Sequence, residues 1–97
     1  MHASEAVRVE HEASRHRYVV HYPGGDAELV YAPAGEGVTE LVHTYVPPEA
    51  RGDGVGDALV RAALADARAE GRHIIPTCPY VRAWLARHPE QGGLVRR

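Results

Sequence analysis

The feature that most limits how this chain can fold is a glycine-rich turn, Arg51-Gly52-Asp53-Gly54-Val55-Gly56, set between a strand-like run and a helix-like run. Before it, Val42, His43, Thr44, Tyr45 and Val46 are mostly β-branched or aromatic, which suits a pleated strand. Pro47 and Pro48 end that strand because proline brings no N–H to a ladder. After the turn, Val55, Leu59, Ala62, Ala63 and Ala67 recur at helical spacing, so the spacing predicts a helix over 55–70. A helix that starts from glycines presents unpaired N–H groups and the positive end of its dipole. That combination is an anion site, and it predicts a phosphate or pyrophosphate cradle here.

Three kinds of cradle can be compared with the turn. The Walker pattern requires Gly-Lys-Ser/Thr, and the chain has no lysine. The dinucleotide fingerprint requires G-x-G-x-x-G after the first strand of a βαβ unit, whereas the glycines here are spaced G-x-G-x-G after a third expected strand. The remaining pattern, Arg/Gln-x-x-Gly-x-Gly/Ala, is met by Arg51, Gly54 and Gly56, and resembles the acyl-coenzyme A pyrophosphate loop of the GNAT acetyltransferase superfamily.

A chain of 97 residues suggests one domain, 1–97, with a modest core. The net charge of −2 gives no basic surface for nucleic acid. No apolar run is long enough to span a membrane, and Met1 to Val9 lacks the pattern of a signal peptide. One cysteine allows no internal disulfide and fits a reducing cytoplasm. Arginine in place of every lysine reads as GC-rich coding and points to a bacterial source. The expected state is a monomer or weak homodimer. No metal is expected, since His11, His16 and His21 recur at five residues, a spacing that suits neither one helix face nor a zinc pair.

Taken in order, residues 1–6 are expected to fray, and Val7 to Glu12 gives only a weak strand signal. Arg17 to Tyr22 and Ala27 to Tyr31 alternate, with the turn Pro23 to Asp26 between them. Val38 to Val46 completes an expected three-strand antiparallel meander. Gly71 suits the residue after a helix end. His73 to Thr77 is a short strand, expected parallel to 38–46 by a right-handed crossover. Pro79 suits the first position of a second helix over 79–87, with Val81, Trp84 and Leu85 inward, and Gln91 to Arg97 reads as a tail.

Three further segments extend the resemblance. H-T-Y-V-P-P-E-A-R-G-D-G-V-G-D-A-L-V, I-I-P-T-C-P-Y-V-R-A-W-L and R-H-P-E are similar to the minimal single-domain GNAT-like N-acetyltransferases of about a hundred residues, over roughly residues 17–95. The resemblance implies an α+β fold: an abbreviated GNAT architecture with a mixed, mostly antiparallel sheet and two helices. It implies that acetyl-CoA enters a cleft where strands 38–46 and 73–77 splay, contacting Thr44, Tyr45, Val46, Arg51, Gly52, Asp53, Gly54, Val55, Gly56 and Asp57. It also implies an amine-bearing acceptor. Full-length GNAT enzymes insert helices after the first strand and add strands after the last helix; only Pro23 to Asp26 joins the first two expected strands here, so the resemblance supports the cofactor side and an abbreviated acceptor side is the expectation.

Three side chains could carry acyl transfer. Cys78 precedes a helix start, which favours a thiolate. It could be an acyl-enzyme nucleophile, sit against the coenzyme sulfur, or simply pack as a small buried residue. His43, on the neighbouring strand, could accept a proton from the amine or from Cys78, or be an ordinary strand histidine. Tyr80 falls where GNAT enzymes often carry a general-acid tyrosine, or it covers the helix start. The residues leave three functions open: N-acyltransferase, coenzyme A-binding module, or an interaction domain whose glycine loop is only a turn.

Overall fold

The computed structural model describes residues 7–96; Met1 to Ala6, expected to fray, and Arg97 lie outside the described residues. Five strands form one sheet in sequence order. These are β1 (Glu10–Glu12), β2 (Arg17–Val20), β3 (Ala27–Pro33), β4 (Val38–Tyr45) and β5 (His73–Pro76). The first four pair antiparallel, and β5 joins β4 in parallel, with Val38 opposite His73 and Leu41 opposite Pro76. Helix α1 (Val55–Ala69) makes the crossover, and α2 (Pro79–Arg87) follows β5. This is the α+β sheet that the sequence implies, with one strand more in the meander.

That extra strand, β1, is three residues long and polar, so its local signal is faint. What secures it is non-local. Arg17 on β2 holds Glu12 on β1 at 2.6 Å, Glu28 on β3 at 2.8 Å and Asp26 in the intervening turn at 3.2 Å. One guanidinium, with its fixed fork of donors, thus ties three consecutive pieces of chain. On the other face His11 stacks on Tyr18 at 4.4 Å between ring centres.

Both helices pack on one face of the sheet. Tyr18, Val20, Leu29, Leu41 and Ile74 meet Leu59, Val60, Ala63 and Leu64 of α1 and Val81 and Trp84 of α2 in one buried cluster. Gly71, at φ 68°, lets the chain leave α1: Arg72 donates to the carbonyl of Ala67 at 2.8 Å and Gly71 to that of Arg68 at 3.2 Å. The expected tail from Gln91 is not a free tail. A 3₁₀ turn runs over Pro89–Leu94, and Val95 bridges to Ile74, with the Arg96 N–H donating to the Ile74 carbonyl at 2.8 Å.

The register between β3 and β4 slips once. Val30 faces His43 and Tyr31 faces Leu41, so Val42 is an extra residue with no partner. Such a bulge bends and twists the strand that carries it. It falls one residue beyond Leu41, where pairing with β5 stops.

The Arg17 cluster makes acid stability a test of this fold. Hydrogen bonding to Arg17 holds the Glu12 carboxyl below its ordinary 4.5. Hydrogen bonding to His21, aided by Arg17, holds Asp26 below its ordinary 3.8. Depressed carboxyls stabilise the fold fully above those ordinary values and lose that contribution as pH falls through the lowered ones. Thermal melts should therefore drop steadily below pH 4.5 in the wild type. In Arg17→Met the melting temperature at pH 7 should be lower and the acid dependence flatter; an acid limb as steep as wild type would show that the cluster is only surface decoration.

Candidate active site

Beyond Leu41 the sheet opens. β4 continues to Tyr45, while β5 ends at Pro76 and the chain turns away after the Cys78 N–H donates to the Leu41 carbonyl at 2.9 Å. Val42 to Tyr45 therefore have no strand partner on the β5 side among the described residues. A cleft of about 410 Å³ occupies this place. It is lined by Thr44 and Tyr45 from β4 and Val46 just beyond it, by Ala50 to Gly52 and Gly54 from the turn, by Val55, Gly56 and Asp57 from α1, and by Tyr80 from α2.

The turn is built for access to backbone. Pro48–Ala50 forms a 3₁₀ turn, and Gly52 and Gly54 then take φ of 93° and 79°, which disfavour any residue with a Cβ. Gly54 is the residue before α1, and no side chain among the described residues caps the helix. The first intrahelical bond is that of the Ala58 N–H to the Gly54 carbonyl, so the N–H groups of Val55, Gly56 and Asp57 have no partner within the helix. A Cβ placed on Gly52 or Gly54 would meet nothing within 4 Å.

Gly56 has a different reason. A Cβ there would overlap the ring and hydroxyl of Tyr80, so this glycine seats the tyrosine of α2 on the first turn of α1. Asp57 reinforces that contact. Its Oδ1 accepts from the Trp84 indole N–H at 2.8 Å, and its Oδ2 accepts from Arg61 at 2.9 Å. Partial burial pushes the Asp57 carboxyl upward, and the Trp84 and Arg61 hydrogen bonds outweigh it, leaving the group below its ordinary 3.8. The Arg51 Nε donates to the Val46 carbonyl at 3.0 Å, joining turn to strand end. Asp53 is the one residue of the expected cofactor set that does not line the cleft.

The three candidate catalytic side chains separate. Tyr80 is 38% exposed at the cleft, and burial, with help from Asp57 and Cys78, raises its phenol above the ordinary 10.0 against an opposing effect of Arg87. Cys78 is 2% exposed and does not line the cleft; its Sγ lies 3.4 Å from the hydroxyl of Thr44, which does. His43 is not brought to Cys78. Thr44 pairs with buried Leu29 on the helix-covered face and His43 pairs with Val30, so His43 leaves from the opposite face. Val42 is the cause: without the bulge, His43 would share a face with Leu41. The role of Asp57 as the tie to Trp84 was invisible in sequence, where Trp84 reads only as core; an acidic residue in the first turn of a helix was the available signal. Among the described residues no group of three potential metal ligands assembles.

The chain and its fold have known counterparts. The family model described as GCN5-related N-acetyl-transferase matches residues 17–94. The chain belongs to the GCN5-related N-acetyltransferases. The protein NATD1 of Homo sapiens is 33% identical over 85 residues, covering 86% of this chain and 75% of the relative. NATD1 of Xenopus tropicalis is 32% identical over 91 residues, covering 92% and 84%. The solution structure of a GCN5-like protein from Staphylococcus aureus superposes with a TM-score of 0.76, covering 93% of this chain and 88% of that one at 21% identity, which is a likeness of fold.

The Gly56–Tyr80 contact yields a double-mutant test. Gly56→Ala must displace the half-exposed Tyr80 ring while gaining helix propensity, so it should cost at most about 1 kcal/mol net in urea melts. The cost should shrink by at least half in a Tyr80→Val background. Equal costs in both backgrounds would mean that the tyrosine does not rest on the glycine.

Proposed function

We propose that this member of the family transfers an acetyl group from acetyl-CoA directly to an amine. The observation that carries the reading is the cleft itself: an uncapped helix start, a glycine turn with open space above it, and an unpaired strand end meet in one place. The N–H groups of Val55, Gly56 and Asp57 would receive the pyrophosphate, aided by the helix dipole. The Asp57 carboxylate opposes an anion less than its position suggests, because Trp84 and Arg61 hold it. The unpaired backbone near Tyr45 and Val46 would meet the thioester carbonyl.

In this reading the amine nitrogen bonds to the carbonyl carbon and the C–S bond breaks. Tyr80 gives its proton to the leaving thiolate, and the amine proton passes to solvent. A phenol raised above its ordinary range keeps that proton at neutral pH. Cys78 is no nucleophile here, since buried thiols of this kind are inert. A reducing cytoplasm would suit it.

A second reading, a coenzyme A-binding module without efficient catalysis, draws on one observation. The titratable side chains that line the cleft are Tyr45, Arg51, Asp57 and Tyr80, and the single carboxylate among them is already engaged. Among the described residues that line the cleft no free base stands ready for the amine, so in this reading the acceptor arrives with its proton lost or sheds it to water.

Two measurements test these readings. Gly54→Asp and Gly54→Asn both place a side chain tolerated at positive φ, but only the former repels a phosphate. By calorimetry, coenzyme A should bind at least about tenfold more weakly to the aspartate variant than to the asparagine variant; equal affinities would remove the phosphate from this turn. Acetyl-CoA consumption should then be followed with a panel of amines, peptide N-termini and lysines included. Turnover supports the transferase, and binding without turnover supports the module. Where an acceptor is found, Tyr80→Phe should lower kcat by about 10²-fold with KM for acetyl-CoA little changed, and Cys78→Ala should keep most activity. The alkaline limb assigned to Tyr80 should lie above pH 10, because activity needs the protonated phenol and its loss follows the raised value.

A further inference from the structure

A second cavity, of about 130 Å³, lies beneath the C-terminal half of α1. We propose that it binds a small organic cation, an alkylammonium or methylated ammonium group, at a site separate from the acyl cleft. Among the described residues none lines both cavities. Asp57 and Asp66 are nine positions apart on α1, which is about 13 Å at the rise of a helix. The proposal stands whether or not the cleft binds coenzyme A.

The walls are aromatic and the charge is negative. His11, Tyr18 and Tyr31 stand together, with Tyr18 and Tyr31 centred 5.6 Å apart and His11 at 4.4 and 5.6 Å from them. Aromatic faces attract a cation through their quadrupole. His11 covers one face of Tyr18, His16 stacks on Tyr31 at 5.3 Å and the His11 ring bonds the Tyr31 hydroxyl at 2.6 Å, so the cation would meet the remaining faces of this cluster. Asp66 on α1 and Glu70, the residue that follows its last turn, supply two carboxylates four positions apart. Tyr18 donates to Asp66 Oδ2 at 2.7 Å, and His11 stands 3.6 Å from the same oxygen. The other oxygen, Oδ1, has no hydrogen-bond partner among the described residues, and neither has the Glu70 carboxylate. Leu41 and Ile74 make an apolar floor.

One positive charge also faces the cavity. The Arg72 guanidinium is committed to β4, its Nε to the Thr39 hydroxyl at 2.9 Å and its Nη2 to the Val38 carbonyl at 3.1 Å. Two carboxylates, Asp66 and Glu70, face one committed guanidinium, Arg72, across the cavity. An anion is therefore disfavoured. The volume is close to that of an engineered apolar cavity of about 150 Å³ that admits benzene, so a compact branched ammonium fits and a long or fused ring does not. None of these groups is needed for acyl transfer as derived above.

The test uses tert-butylammonium chloride and tert-butanol, which share a shape and differ in charge. Amide shifts of the full chain are followed by NMR as each is added. The cation should shift Asp66, Glu70 and Arg72 saturably, and the alcohol at equal concentration should bind at least about fivefold more weakly. Glu70→Gln, at the exposed helix end, should weaken the cation about threefold or more, and Tyr31→Leu about fivefold, while Tyr31→Phe, which keeps the aromatic face, should stay within about twofold. The proposal is overturned if the wild type shows no saturable shift, if the alcohol binds as well as the cation, or if Glu70→Gln and Tyr31→Leu both bind like wild type.

Discussion

β4 has eight residues and its parallel partner β5 has four, and most of the molecule's functional geometry follows from that mismatch. A strand edge left unpaired inside a fold exposes obligatory donors and acceptors, and proteins cover such edges or use them. Here β5 cannot continue, because Pro76 is its last residue and Pro79 soon begins a helix. The bulge at Val42 bends β4 at the same point. The gap between them is the cleft, and the glycine turn and both helix starts converge on it.

Convergence at that point requires close packing. Two helices that begin at one cleft bring their first turns together, and only a residue without a side chain lets them touch there. Gly56 is that residue on α1, and Tyr80 fills the space from α2. Trp84, buried and bonded to Asp57, then fixes α2 against α1, with Arg61 5.2 Å from the indole centre and His88 stacked at 3.9 Å. Buried indole N–H groups need a partner. By serving as that partner, and by pairing with Arg61, Asp57 has both carboxylate oxygens engaged at the start of α1.

Some of this was legible in the sequence because it is written locally. Proline and glycine punctuate β4, the turn and α1, and a helix between two apolar runs implies a parallel crossover, so the order and pairing of β2 to β5 could be read directly. β1 was only faintly legible, since the polar run Glu-His-Glu carries a weak strand signal, and its hold comes from Arg17 and Tyr18 on the neighbouring strand. The place of His43 was misjudged for a related reason. A bulge shifts every later side chain to the other face, and nothing near Val42 announces one. Gly56 was legible as a glycine but not as a seat for Tyr80, because that contact joins two helices.

The central claim is that the uncapped start of α1 is an anion cradle at the mouth of the β4–β5 gap. The measurement that reaches it most directly is a titration of the isotopically labelled chain with coenzyme A, read at the backbone amides. The account predicts the largest shifts at Gly54, Val55, Gly56 and Asp57, with smaller ones at Thr44 to Val46 and little change at Asp66 to Arg72. Shifts centred on the far end of α1, or saturable binding that leaves the amides of residues 54–57 unmoved, would contradict it.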